Sequence, residues 1–286
     1  MSAEKLSQQL EQIVLKRIAE DSLVMPLIPS MATRVGELLR EQEGPLKQSS
    51  QLLEQEPFLA ARAVRMAGAA AAGGRKVTLG DVLNRLGAKT VRSILVEASG
   101  QKLTLSRDPK IADAIRKLWE HSVAVGTLAR DVLALSGHAD SEAAYLAGLL
   151  HDVGKPIIAS LLLEVERQMT DLYNRPFIES AEWVEVVSRT HRKVGIALSE
   201  KWQLPEQVVR CVKDCTEYDN ADRTSLVNAV CFANALAKKI GVYAGPIDAD
   251  DVDALVMIGR SLIGISDDVL KTLSKGLKER ISGLFN

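Results

Sequence analysis

Several things are scarce in this chain, and each scarcity excludes something. Aromatic residues make up 4% of the 286 residues, and no segment sustains strict apolar–polar alternation, the signature of half-buried strands. No apolar run approaches the roughly 18 residues of a membrane span, and no basic-then-apolar leader opens the sequence. The chain is therefore expected in the cytoplasm, away from membranes. There are only three cysteines, an odd number that closes no disulfide framework and points to reduced thiols. Cys211 and Cys215 stand one helical turn apart. With no matching pair elsewhere they read as small buried hydrophobes, not as metal ligands.

What is abundant is alanine and leucine, within a composition that is 47% apolar and 26% charged. Both residues cost little side-chain entropy in a helix, so the expected fold is all-α. The length suits one large or two small domains. Residues 2–20 carry Leu6, Leu10, Ile13, Val14 and Ile18 at helical spacing, an amphipathic helix. Ser30 is a candidate cap for a helix bearing Val35, Leu38 and Leu39 and ended by Gly44-Pro45. Pro57 suits a first helical turn, and that helix runs into the Ala-Gly tract ending at Gly73-Gly74. Thr78 with Asp81 resembles a capping pair for a short helix that stops at Gly87, with another beginning at Ala88.

Pro109 opens a long helix with Ile111, Ile115, Leu118, Trp119, Leu128, Val132 and Leu135 on its apolar side, closed by Gly137. A helix from Ser141 runs to His151-Asp152 and stops at Gly154. Further starts are expected near Pro156, Ala181, Arg192, Pro205, Ser225, Ala249 and Asp267, the last helix aligning Leu270, Leu273, Leu277, Ile281 and Leu284. The loop around 104–108 is the best subdomain boundary. The expected division is a first amphipathic helix over 1–21, a helical subdomain over 22–106, a helical core over 107–240 and C-terminal helices over 241–286.

A net charge of −1 conceals an asymmetry. Between Arg62 and Lys110 ten basic residues face only Asp81, Glu97 and Asp108. From Asp214 to Asp253 eight acids face Arg223, Lys238 and Lys239. Such polarity marks either a surface for an anionic partner or a solvated face that serves solubility. Arg85, Lys89 and Arg92 lie around the Gly87 junction, where helix, glycine and helix follow one another as in a nucleic-acid-binding module. Helix pairs joined by glycine are common, so this signal is weakly specific.

The chain has four histidines. His151-Asp152 in GLLHDVGKP sets an imidazole beside a carboxylate, donors suited to a hard or borderline cation. His121, in LWEHSVAVG, lies on a helix that packing can bring to the same place, and Lys155 stands one turn beyond the doublet, where it would offset a phosphate. An equally simple reading makes His121 and Asp152 a hydrogen-bonded clamp between two buried helices. His138, in a polar loop, reads as exposed.

WEHS, AGLLHDVGK, THRKVGIALSEKWQLPEQVV and CFANALAKKIG, in that order, resemble the HDOD domain, a bacterial signalling relative of the HD phosphohydrolases. MPLIPSMATRVGELL, EQEPFLAARAVRMA and TLGDVLNRLGAKTVRSILV resemble that family's opening helices, so the resemblance spans roughly residues 22–240. Catalytic HD enzymes hold a divalent metal with a helix His, the His-Asp doublet and a later Asp. The resemblance assigns the first three roles to His121, His151 and Asp152, but the later Asp is replaced by Asn234, a neutral and weaker oxygen donor. His191 matches a ligand of two-metal relatives, yet Cys215 and Thr216 stand where those relatives place a His pair, which leaves His191 without companions.

The resemblance thus implies a non-catalytic regulatory module that binds a signalling protein or a nucleotide, with no required cofactor and at most a weakly held divalent metal. Lys155, His191, Asn234, Arg85, Lys89 and Arg92 are the candidate ligand-binding residues. The first amphipathic helix is a candidate docking or homodimer surface. Two alternatives stand beside this reading: a metal-dependent phosphohydrolase or phosphodiesterase with an altered metal site, and a nucleic-acid-binding protein using the basic 62–110 stretch.

Overall fold

The computed structural model describes residues 3–40, 46–68, 76–101, 103–135, 137–173 and 178–281. The expected stop at Gly44-Pro45, the Ala-Gly tract, Arg75, Lys102 and Leu284 lie outside them. The backbone is all-α, and no extended strand occurs among the described residues.

Helix α1 (Ala3–Ala19) buries Leu6, Leu10, Val14 and Ile18 and packs on α8 (Gly154–Tyr173) and α9 (Ser180–Lys201). Each such side chain contributes roughly 1.5–3 kcal/mol. Ile13 does not join them; it is turned to solvent. Arg17 pairs with Glu164 at 2.9 Å and Lys193 with Glu11 at 3.1 Å across the same contact. This corrects the expectation of an exposed first helix available for docking or dimerisation, because its apolar face is covered within the chain.

Four helices follow: α2 (Pro29–Arg40), α3 (Leu46–Gln55), α4 (Pro57–Ala67) and α5 (Leu79–Ser99). Helix α2 begins at Pro29, so Ser30 lies inside its first turn instead of capping it. Thr78 and Asp81 form the reciprocal capping box, and Gly87, at φ 71° and ψ 163°, kinks α5 where the sequence predicts a break. The chain crosses between this subdomain and the remainder near residues 22–28 and 100–108. There the Leu27 N–H donates to the Gln101 carbonyl at 2.7 Å, and the Leu103 N–H to the Leu27 carbonyl at 2.8 Å.

The larger unit centres on α6 (Pro109–Leu135), which packs against α7 (Ser141–Leu150) and α11 (Leu226–Lys239). Helices α6 and α7 touch at backbone distance, since a Cβ on Gly148 would lie 2.8 Å from the Gly126 Cα. Gly154 opens α8 rather than ending α7, because residues 151–153 already form the turn between them. The two helices expected from Ala181 and Arg192 are one continuous α9. Helix α10 (Glu206–Lys213), α12 (Ala249–Ile263) and α13 (Asp267–Ile281) complete the fold. The most apolar part of Ser141–Met169 is buried, as befits α7 and α8 in a core, while Glu142, Arg167 and Gln168 towards its ends are exposed.

One buried carboxylate ties the two units together. Glu56 caps α4, is 0% exposed, and accepts hydrogen bonds from the Phe58 N–H at 3.0 Å and the Trp119 indole N–H of α6 at 2.7 Å. Phe58 and Trp119 meet edge to face, 5.9 Å between centroids. Burial pushes the Glu56 carboxyl up to about 7, against the pull of its two donors. A folded-state value above the unfolded one means that Glu56 stabilises fully below about 4.5 and loses that contribution as pH rises through about 7. Denaturant unfolding at pH 5, 6, 7 and 8 is expected to show wild type losing up to about 3 kcal/mol relative to Glu56→Gln across this window. A constant difference between the two would remove the assignment.

Candidate functional site

The site is built where α6, the α7–α8 turn and α9 converge. Gly154 makes the convergence sterically feasible: a Cβ there would stand 1.9 Å from the His191 carbonyl oxygen, so only glycine lets α8 start against α9. The turn presents His151 and Asp152, α6 presents His121, and α9 presents His191. His121 and His151 are 1% and 3% exposed, and Lys155 in the first turn of α8 is also 3% exposed.

Each ring is oriented by a main-chain carbonyl. His121 Nδ1 lies 2.8 Å from the Val242 oxygen, His151 Nδ1 2.7 Å from the Gly148 oxygen, and His191 Nδ1 2.7 Å from the Ser188 oxygen. A carbonyl only accepts, so each Nδ1 carries the hydrogen, which in the neutral ring leaves Nε2 with a lone pair. Those lone pairs converge on Asp152. His151 Nε2 stands 3.3 Å and His121 Nε2 3.7 Å from Oδ2, and His191 Nε2 stands 3.4 Å from Oδ1. The Nε2 atoms of His121 and His151 are buried and have no hydrogen-bond partner.

The positive charge comes from Lys155, whose Nζ donates to Asp152 Oδ2 at 2.5 Å. The same ammonium lies 3.4 Å from the Tyr243 hydroxyl and 4.5 Å from the centre of that ring. Lys238 of α11 stands 5.1 Å from the same ring, and His121 packs edge-on to it. Burial alone would push the Asp152 carboxyl up, but the Lys155 ammonium holds it well below the carboxylate range. Burial opposes the charge on Lys155, and Asp152 outweighs it, so the lysine stays protonated. Burial keeps His121 well below its usual value and His191 down at about 4, so both rings stay neutral at pH 7.

Three expectations need correction. His121 is too far from Asp152 for the direct hydrogen bond of a clamp; Lys155 makes that bond. Lys155 is interior rather than placed to meet phosphate in solvent. His191 has companions, because the α8–α9 contact brings it to the far oxygen of Asp152. Asn234 is buried on α11, one turn before Lys238, and its side-chain oxygen has no hydrogen-bond partner. Tyr243 escaped sequence reading because it stands in no recognisable motif, and Lys238, although inside CFANALAKKIG, read only as one of the basic residues of its stretch. His138 is half-buried beside Asp140. All three cysteines are free and buried.

Elsewhere, Arg92 donates to the Leu39 carbonyl at 2.8 Å and Arg85 approaches the Gly68 carbonyl at 3.5 Å. Arg62, Arg65 and Lys76 pair with Glu97, Asp21 and Asp140. Lys89 remains exposed. Of the three candidate residues, Arg92 is thus tied to the backbone of α2, while Arg85 and Lys89 are exposed. The two halves of α5 also run into one another at Gly87, without the few-residue turn of a helix-turn-helix.

The donor set of His121, His151 and Asp152, with ligand atoms within 4.8 Å of one another, fits a divalent cation, and the unpartnered Nε2 atoms support that fit. The HDOD domain family matches residues 25–218, a span that contains all of these donors. This chain belongs to the HDOD family. Asn234, Lys238 and Tyr243 lie beyond the matched HDOD span. An uncharacterized protein of Treponema pallidum (strain Nichols) is 25% identical over 219 residues, covering 72% of this chain and 41% of its own length. The chain thus spans about two fifths of that relative. Two crystal structures of the MmoQ response regulator of Methylococcus capsulatus strain Bath share the fold. One has 18% identity and a TM-score of 0.61, covering 87% of this chain and 97% of that one. The other has 19% identity and a TM-score of 0.59, covering 86% and 93%.

Because Asp152 and Lys155 neutralise each other out of water, removing one leaves a buried charge. Asp152→Ala is expected to cost about 3–5 kcal/mol in denaturant unfolding at pH 7. Loss of under about 1 kcal/mol would show that the pair is solvated.

Proposed function

We propose that this HDOD chain is a regulatory signalling module that acts by binding a protein or nucleotide and does not hydrolyse phosphoesters. The observation that carries this reading is the Lys155 ammonium bonded to Asp152 inside a largely buried cluster. Metal-assisted hydrolysis requires an open coordination position where water is acidified and the substrate is met. In this chain the one carboxylate of the donor set is already neutralised by a side chain. Asn234 adds no second charge, and Tyr243 lies against both Lys155 and His121. The fold shared with a protein described as a response regulator agrees with a signalling role.

A second reading, a phosphohydrolase with an altered metal site, is favoured by the inward lone pairs of His121 and His151. A divalent ion held by His121, His151, Asp152 and His191 would supply Lewis acidity to a bound water. The chain's own residues would then orient the donors through Val242, Gly148 and Ser188.

Turnover assays decide between the two. Wild type is expected to release no product from cyclic dinucleotides or nucleoside triphosphates with manganese or magnesium present. Asn234→Asp, assayed beside it, tests whether the missing carboxylate is the reason. Metal-dependent turnover by wild type, abolished by His151→Ala, would overturn the regulatory reading.

A further inference from the structure

The cluster holds an imbalance that hydrogen bonding does not relieve. Three imidazole lone pairs and a carboxylate face one another, and two of those nitrogens are buried without a donor. Electron pairs packed this closely repel unless positive charge stands among them. Lys155 supplies one unit of it. Its ammonium bonds the same Asp152 oxygen towards which His121 and His151 point. A metal drawing on those nitrogens would use that oxygen as well.

We propose that the Lys155 ammonium and a divalent cation are alternative occupants of the His121–His151–Asp152–His191 site, so that Lys155 sets whether the protein holds metal. The two cannot share Asp152 Oδ2. A divalent ion beside a buried ammonium meets strong like-charge repulsion where water does not screen it. Lysine suits this role better than arginine, being a compact charge on a flexible stem. It also has a second resting place within reach, the Tyr243 hydroxyl and ring. That ring already carries Lys238, so a lysine driven from Asp152 crowds a second cation. The site therefore favours its internal occupant, and metal occupancy is coupled to the position of Tyr243.

Tyr243 also lines a groove of about 910 Å³ between α6 and α9, whose rim includes Lys110, Lys117 and Arg189. The exchange of ammonium for metal at Asp152 consequently reaches a surface cleft through one aromatic side chain. This inference rests on the proposed non-hydrolytic reading only in that a resident lysine accounts for the absence of turnover which that reading expects. Its test is a binding measurement that is independent of turnover.

Untagged, metal-free protein is titrated with cobalt(II) chloride, following heat and the visible bands of nitrogen- and oxygen-ligated cobalt. Cobalt suits an imidazole-rich donor set. Lys155→Met is expected to bind one ion at least about tenfold more tightly than wild type, because the competing charge is gone. The ion should raise the unfolding midpoint of Lys155→Met at a concentration that leaves wild type unmoved. Adding His151→Ala to the variant should abolish both effects. Lys155→Gln, which keeps a polar side chain, provides the same comparison should the methionine variant fold poorly. Equal affinity of wild type and the Lys155 variants, or no site in any folded variant, would overturn the proposal. Assaying the cobalt-loaded variants for hydrolysis tests the regulatory reading separately, since turnover there leaves the competition intact.

Discussion

Asp152 and Lys155 form a charge pair three residues apart on a tight turn, almost sealed from water, and the site is arranged around it. Neither partner could be buried alone, since an isolated charge in a protein interior costs several kcal/mol. Once paired, they fix what can surround them: imidazoles whose Nδ1 hydrogens are already given to carbonyls, and an aromatic face that accepts a cation. The pair also needs α8 to begin beside α9, which is why one of the two residues between them in sequence is Gly154. Helix packing, ring orientation and charge are therefore one problem with a common solution.

A second buried acid, Glu56, works by a different logic. It has no cation, and two N–H donors meet its two oxygens. Burial raises its proton affinity, whereas Asp152 is held ionised by its lysine. Two largely buried carboxyls thus end at opposite extremes because one has an ammonium and the other has only dipoles. Glu56 grips Trp119, two residues before His121 on α6, so the packing of the smaller unit bears on the helix that carries a cluster histidine.

Much of the helical framework was legible in the sequence, and the reason is local. The Thr78–Asp81 box, the Gly87 break and the periodicity of α1 are short-range signals, and each appears where it was expected. The HDOD resemblance rested on blocks long enough to carry specificity. The site was less legible, because its decisive contacts link residues distant in the chain. His191 reaches Asp152 only through the Gly154 contact, and Tyr243 meets Lys155 across 88 positions. The Lys155–Asp152 pairing was hard to read for a related reason: a lysine at a helix start is commonly solvated, and only packing shows that this one is interior. Ile13 and Ser30 show the smaller errors of periodicity and capping rules, where neighbouring residues claim the same role.

The Leu27 bridge has a consequence of its own. The chain passes between its two units near Leu27 and again near Leu103, and the two passages are hydrogen-bonded to each other. Neither can be straightened without unpairing the other. Two backbone hydrogen bonds thus couple the passages, so displacing either one costs the pairing of both.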